Sequence, residues 1–163
     1  GASIVHCPNT NLKTDDGILD LSRLPKSVPV GLGTDGLMTS GTLDIRSEAR
    51  SAQKYCNRSG KYPLGSQKLL DLLTLNGARA LGMEDRIGSI EPGKYADFIF
   101  IRHKHGVISK KAVISPETEI YGVMIDGRMR LWKGKLIGRK IKEKNVLRNF
   151  EKLSRHALQG LLS

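Results

Sequence analysis

Two short, uninterrupted apolar runs constrain the fold more than any other feature of this sequence. The runs are ASIVHC at residues 2 to 7 and VPVGLG at residues 28 to 33, and each stops at a turn-forming segment. Continuous apolar strands are typical of parallel sheets covered on both faces, whereas half-exposed strands alternate. Some twenty residues separate the runs, enough for a loop and a short helix, so we predict a βαβ unit.

Two segments with helical spacing follow the second run. Residues 43 to 56 and residues 64 to 83 repeat apolar side chains at intervals of three and four. Ser66 is a candidate N-cap of the second helix. Together with the strands before them, these helices predict an α/β protein. The side chains expected on one face of the second helix are Leu69, Leu70, Leu73, Ala80 and Leu81.

The pattern changes near Ile87 from helices to short strands. A strand is predicted at residues 96 to 101, after the Pro-Gly turn at residues 92 and 93. Further on, an Asp-Gly pair at residues 126 and 127 lies between alternating apolar residues, which is the strongest local signal for a β-hairpin. We interpret Tyr121 and Trp132 as the core of this antiparallel region rather than as a platform for stacking bases.

The positive charge is concentrated at the end of the chain. The net charge is +11, and residues 102 to 163 hold 15 Lys+Arg against 5 Asp+Glu, whereas residues 1 to 101 hold 12 against 11. The end of the chain also has an apolar stripe, so a basic amphipathic helix is predicted. Such a bias fits a nucleic-acid or acidic-partner surface, a solvated face, or a face that covers an acidic part of a larger assembly. Nucleic acid is disfavoured because no nucleic-acid motif is present.

Composition narrows the class of protein further. Hydrophobic residues make up 39% and charged residues 26%, which is typical of a globular domain. No apolar run approaches the roughly 20 residues of a membrane span, and the first residues lack a signal-peptide layout. Cys7 and Cys56 are too far apart for a CxxC motif. We therefore expect a cytoplasmic protein without a membrane partner.

A carboxylate follows the second apolar run. The segment GTDG places Asp35 where that predicted strand ends, between Gly33 and Gly36. In parallel α/β sheets and barrels, functional groups collect at the carboxyl ends of strands because the loops there share one mouth. Two interpretations remain open on these residues alone. Asp35 either binds a ligand or caps the following loop or helix.

Four segments, taken together in their order and spacing, resemble the amidohydrolase superfamily, in its deaminase and chlorohydrolase branch. That branch includes guanine deaminases and the deaminases of S-adenosylhomocysteine and methylthioadenosine. The segments are HCPNTNLK at 6 to 13, GLGTDG at 31 to 36, NGARALGMEDRIGSIEPGKYADFIFI at 76 to 101 and VMIDGRMRLWKGKLI at 123 to 137.

The resemblance implies the C-terminal portion of a (β/α)8 TIM-type barrel and of a small β-sandwich built from both chain ends. Residues 1–86 would be barrel strands seven and eight with their helices. Residues 87–138 would be the C-terminal share of the sandwich, and residues 139–163 the terminal basic helix.

The resemblance also implies a chemistry. Asp35 would bind a single divalent metal, zinc rather than iron, and take a proton from the metal-bound water. The reaction would be hydrolytic loss of ammonia from a purine-type nucleoside or related amino-heterocycle. His6, Asn9 and Asn11 match an HCPNSN-like motif, and with Thr34 they would line the pocket or support it. For His6, both a structural role and substrate contact remain open.

The chain departs from the family pattern in several places. The family's HxH pair and two single histidines would precede Gly1, so Asp35 is the only expected metal ligand, and this chain alone is expected to be inactive. The missing barrel would lie on the same chain or on a partner chain, and a homodimer is possible. The alternative is a non-catalytic fragment or split-enzyme chain that acts by association. We interpret His103 and His105, an HxH in the sandwich region, as solvent-exposed turn residues.

Overall fold

A computed structural model describes residues 1–59, 63–106 and 109–138. Helices and one strand pair occupy the first part of the chain, and antiparallel strands the last part. The predicted terminal helix at 139–163 lies outside the described residues. The elements are β1 Ile4–His6, α1 Pro8–Lys13, a 3-10 helix Leu21–Arg23, β2 Val30–Leu32, α2 Leu37–Ser40, α3 Ile45–Ser59, α4 Ser66–Leu73, α5 Leu75–Ala80, β3 Phe98–His103, a second 3-10 helix Ala112–Ile114, β4 Thr118–Ile125, β5 Arg128–Trp132 and β6 Lys135–Leu136.

The two apolar runs form a parallel strand pair, as predicted. β1 and β2 pair with Ile4 opposite Val30 and His6 opposite Leu32. α1 and the first 3-10 helix lie between them in the chain. The connection is therefore long enough to bring the chain back so that β2 runs in the same direction as β1. The carboxyl ends of both strands therefore lie side by side.

The second predicted helix is interrupted. α4 ends at Leu73 and α5 begins at Leu75, because Thr74 has a non-helical backbone (φ −130°, ψ −95°). This break ends the predicted common face, and Leu81, which is 68% exposed, lies beyond the end of α5 rather than on that face. The N-cap prediction was wrong. Gly65 is the N-cap, Ser66 is the first helical residue, and no side chain caps this helix.

The core lies where α3 and α4 cover the parallel strands. Ala49 and Ala52 of α3 are fully buried, which lets this helix pack closely. Leu69 and Leu72 of α4 and Val30 of β2 contact the same cluster. No helix among the described residues is both long enough and apolar enough to span a bilayer.

The last part of the described chain is a four-stranded antiparallel sheet in the order β3-β4-β5-β6. Its central hairpin turns at Asp126 and Gly127, both with positive φ (50° and 69°), as the turn that matches strand twist requires. The hairpin prediction is confirmed. Trp132 contacts Phe100 and Tyr121 edge-on at ring-centroid distances of 5.6 and 5.1 Å. Trp132 is nevertheless 37% exposed, so these rings form a half-open cluster rather than a closed core.

Two arginines of α3 join the helical part to β4 and to the second 3-10 helix. Arg46 donates to the Thr118 carbonyl at 2.7 Å, and Arg50 donates to the Ile114 carbonyl at 2.9 Å. Both guanidinium groups also contact the Asp44 carboxylate, at 3.1 and 3.4 Å. The position of α3 is therefore fixed on one side by the sheet and on the other by the strand pair.

Candidate functional site

Asp35 lies three residues beyond β2, at the carboxyl end of the parallel pair. Its backbone is left-handed (φ 53°), a conformation that aspartate tolerates better than most residues. Gly33 lets the chain pass close to β1, since a Cβ there would lie 2.5 Å from Val5 Cγ1 and 3.2 Å from Cys7 Sγ. The turn therefore delivers an exposed carboxylate to the strand ends.

The Asp35 carboxylate does not cap the helix that follows it. Gly36 is the N-cap of α2, and that helix has no side-chain cap hydrogen bond. Instead, the Thr39 hydroxyl lies 3.1 Å from Asp35 Oδ2, and the Thr10 hydroxyl donates to Thr39 Oγ1 at 3.1 Å. The neighbouring Thr34 hydroxyl makes only a long contact of 3.4 Å with the Asp35 carbonyl. The Asp35 carboxylate thus contacts a side chain of α2 rather than its backbone N–H groups, and the ligand-binding interpretation stays a prediction.

His6 ends β1 and is buried. Its side chain is 3% exposed, and its Nε2 has no hydrogen-bond partner among the described residues. Burial lowers the pKa of His6 from 6.5 to about 4, because the protonated ring would be poorly solvated there. The imidazole is therefore neutral near pH 7.

Asn9 is held by a single helix. Its backbone N–H donates to Glu48 Oε2 at 2.8 Å, and its side chain donates to Ser47 Oγ at 3.2 Å. The Ser51 hydroxyl donates to Asn9 Oδ1 at 2.5 Å. Three residues of α3 therefore bind the start of α1, and Asn9 anchors this segment rather than presenting free polar groups.

Asn11, the remaining residue of the predicted site, lies within α1. Its carbonyl accepts the backbone N–H of Asp16 at 2.9 Å, which closes the turn after α1. The structure thus connects Asp35 to α1 through Thr39 and Thr10, and it connects Asn9 to α3. The described hydrogen bonds do not join His6 or Asn11 to Asp35.

Cys7 lies between two carboxylates. Burial raises the pKa of its thiol, and the negative charges of Asp35 and Glu48 raise it further. Backbone hydrogen bonds from Asp35 and Gly33 oppose this change in the pKa but do not outweigh it. Cys7 is therefore a neutral thiol beside the site.

Sequence reasoning missed the three residues that organise the site, Thr10, Thr39 and Glu48. For Glu48 a signal was available in the helical spacing, because it lies three residues after Ile45 and four before Ala52, among the apolar positions of that predicted helix. An acidic residue on an apolar helix face requires a polar partner. For the two threonines no local pattern exists, since their contact joins residues 29 positions apart.

The described residues do not by themselves fit a complete metal centre. Protein zinc sites use three or four ligands, and the described part of the chain contains no group of three or more His, Cys, Asp or Glu placed to hold a metal ion. Asp35 could supply one ligand. The metal-ligating role of Asp35 thus stays a prediction.

The HxH segment in the sheet differs from the prediction in one respect. His103 ends β3, its side chain is only 13% exposed, and its Nε2 lies 3.9 Å from Glu117 Oε2. Interpreting it as a solvent-exposed turn residue was wrong, because strand pairing with Thr118 holds it in the sheet. His105 is 63% exposed, as expected.

Comparison with known proteins identifies related sequences and structures. The model of the amidohydrolase family matches residues 1–130. A 5-methylthioadenosine/S-adenosylhomocysteine deaminase from Teredinibacter turnerae is 40% identical over 108 residues, which are 62% of this chain and 24% of that protein. A protein of the same name from Desulforudis audaxviator is 30% identical over 171 aligned residues, covering 99% of this chain and 39% of its own length.

A solved structure is similar over nearly the whole chain. An adenosine deaminase from Xanthomonas campestris with bound zinc superimposes with a TM-score of 0.79 at 32% identity, covering 94% of this chain and 37% of that one. The chain therefore spans less than half the length of these relatives.

Proposed function

The chain belongs to the amidohydrolase family, and from that premise we propose that it is the C-terminal part of a hydrolytic deaminase. The substrate would be a purine-type nucleoside or a related amino-heterocycle. The observation that carries the proposal is the exposed Asp35 carboxylate at the carboxyl end of β2, held by a hydroxyl rather than used as a helix cap. Relatives named as 5-methylthioadenosine/S-adenosylhomocysteine deaminases support the substrate class.

In this proposal Asp35 acts as the group that moves a proton. A carboxylate oxygen of Asp35 accepts a proton from the attacking water and returns it to the leaving amine, so that water and the amino-heterocycle become the oxo-heterocycle and ammonia. Neutral His6 lies at the end of β1, and Asn9 holds α1 in place next to it. Thr34 and Asn11 would line the substrate pocket or support it.

The proposal includes a divalent metal in the native polypeptide, zinc rather than iron. Such a metal, when bound, lowers the pKa of a coordinated water towards neutrality. The bound zinc of the Xanthomonas campestris deaminase supports this choice. Asp35 would supply one ligand, and the rest would come from outside the described residues, on the same chain or on a partner chain. The described residues alone do not supply the full ligand set.

The test is an Asp35→Asn substitution in the native polypeptide, with ammonia release measured from 5-methylthioadenosine, S-adenosylhomocysteine, adenosine and guanine. Loss of a proton-transfer carboxylate should lower kcat by about 10²- to 10⁴-fold with the fold intact. Asp126→Asn is the matched control, because Asp126 also has a positive φ (50°) but lies in the sheet hairpin. Near-normal turnover of Asp35→Asn with metal still bound would refute the proposal.

A further inference from the structure

We propose that Thr39, itself held by Thr10, is a positioning residue that fixes the Asp35 carboxylate for proton transfer. This inference rests on the proposed function of Asp35 and adds a role for two residues that the family motif does not explain. Hydroxyl contacts run from Thr10 of α1 through Thr39 of α2 to the Asp35 carboxylate.

The Thr39 hydroxyl has two acceptors within hydrogen-bond distance. Thr39 Oγ1 lies 3.1 Å from Asp35 Oδ2 and 2.9 Å from the Gly36 carbonyl. A hydroxyl carries one proton, and both neighbours are acceptors. Since the Thr10 hydroxyl donates to Thr39 Oγ1, the Thr39 proton is directed towards Asp35 and Gly36. Hydroxyls linked in this way polarise one another and bind a carboxylate more strongly than an isolated one.

Without such a contact, the Asp35 carboxylate would have no fixed orientation. The Asp35 backbone is fixed by the turn, but its side chain is exposed and would otherwise sample several rotamers. Thr39 is four residues further along, on α2, and its β-branched side chain is stiff about χ1. It therefore offers a hydroxyl at a fixed place to Oδ2 of the Asp35 carboxylate, although the same proton is shared with the Gly36 carbonyl.

Thr10 is itself anchored. This residue is 8% exposed and lies on α1 next to Asn9, whose polar groups are bound by α3. Thr10 is thus held by its own burial and by its neighbour. The hydroxyl chain consequently joins the segments that follow β1 and β2, and Asn9 in turn ties α1 to α3.

The expected effect is on turnover more than on substrate binding. A misplaced carboxylate still leaves the pocket open to substrate, while the proton transfer needs the correct geometry. Removal of a residue that orients a reacting or ligating group typically lowers activity or metal affinity by about 10- to 100-fold.

The experiment compares Thr39→Val and Thr39→Ser in the native polypeptide. Thr39→Val keeps the side-chain shape and removes the hydroxyl, and it should lower kcat by about 10- to 100-fold with KM within about threefold. Thr39→Ser keeps the hydroxyl and should restore most of kcat. Thr74→Val is the control, because it removes a hydroxyl bound to the Leu70 carbonyl between α4 and α5 and should leave turnover unchanged.

A second readout does not use activity. Zinc affinity, measured by competition with a chromophoric chelator, should fall in Thr39→Val. In an Asp35→Asn background the same substitution should add little, because the two residues act as one unit. Thermal melting checks that each variant is folded, and Thr39→Ala replaces Thr39→Val if the valine variant does not fold.

The outcomes separate the two proposals. If Asp35→Asn abolishes turnover but Thr39→Val keeps wild-type kcat and zinc affinity, the positioning role is refuted and the proposed function stands. Failure of Thr39→Ser to restore kcat, or additive losses in the double variant, would also overturn the positioning role. If Asp35→Asn itself has normal turnover and zinc affinity, the proposed function fails, and the inference with it.

Discussion

The backbone N–H of Asn9 donates to the Glu48 carboxylate at 2.8 Å, and Glu48 is fully buried. Asn9 is the second residue of α1, a position whose N–H has no partner within its own helix. A carboxylate from another helix thus does the work of a cap, and its negative charge also suits the positive end of α1. The other oxygen of Glu48, Oε1, has no partner among the described residues. The hydrogen bond from Asn9 is therefore the main described interaction that offsets the cost of burying this carboxylate.

Glu48→Ala should destabilise the native polypeptide by about 2 to 4 kcal/mol, because it leaves the part-buried Asn9 N–H unsatisfied and opens a cavity at a fully buried position. Glu48→Gln should cost less, since the amide oxygen can still accept that N–H. Urea denaturation followed by circular dichroism measures both. Glu84→Ala, at an exposed residue, is the control and should cost less than about 0.5 kcal/mol. Equal losses for Glu84→Ala and Glu48→Ala would contradict the prediction.

The sequence pattern predicted the structural elements that are determined by residues close together in the chain. The continuous apolar runs predicted the parallel pair of β1 and β2, and the Asp-Gly pair predicted the hairpin. The position of Asp35 followed from its place directly after an apolar run. Each of these depends on residues that are neighbours in sequence.

The sequence pattern did not predict the features that depend on tertiary contacts. The break at Thr74 separates α4 from α5 although the apolar spacing continues through it, and Ser66 lies inside the helix rather than before it. The contact of Thr10 with Thr39 and that of Asn9 with Glu48 join residues 29 and 39 positions apart. The spacing of apolar residues in the sequence does not reveal such pairs, because the contacts form only when the two strand ends lie side by side.

His6 should make stability depend on pH between about 4 and 6.5. Its pKa is about 4 in the folded protein and 6.5 in the reference state, so the unfolded chain binds more protons in this interval and stability rises with pH. The contribution is fully present above pH 6.5 and is lost as the pH falls towards 4. A shift of this size corresponds to about 3 kcal/mol at most.

The measurement is the free energy of unfolding of wild type and His6→Phe at several pH values. Phenylalanine does not titrate and keeps an aromatic ring in the buried position. Subtracting the two curves isolates His6 from the other histidines, and the difference should change between pH 4 and 6.5. A constant difference across this interval would show that His6 is not buried in its neutral form.

Asp44 should stabilise the contact between α3 and the sheet at neutral pH. Burial alone would raise the pKa of Asp44, but hydrogen bonds from Arg46 and the charges of Arg46 and Arg50 outweigh it and lower the pKa. Because the folded pKa lies below 3.8, the contribution is present above that value and is lost as the pH falls through the folded pKa.

Asp44→Asn should therefore cost about 1 kcal/mol at pH 7, since the ion pairs are partly exposed and partly screened. The difference between the variant and wild type should shrink in acid and with added salt, as denaturation at pH 7 and at pH 3 would show. Asp85→Asn is a suitable comparison, because Asp85 forms a 3.7 Å ion pair with Arg86 in which both side chains are largely exposed. A cost at pH 7 that does not shrink at pH 3 would argue against the electrostatic origin.

Gly88 and Gly93 separate backbone strain from packing, because they share a left-handed backbone (φ 92° and 90°) and differ in their surroundings. A Cβ at Gly88 would lie 2.6 Å from Ala78 Cβ and 3.0 Å from Leu75 Cα, whereas a Cβ at Gly93 would have no neighbour within 4 Å. Gly93→Ala should cost about 1 to 2 kcal/mol from the backbone alone. Gly88→Ala should cost about 1 to 3 kcal/mol more, because neither the short Ala78 side chain nor the α5 backbone can move aside cheaply. Chemical denaturation of both variants measures the difference, and similar losses would mean that the segment after α5 does not pack against that helix as described.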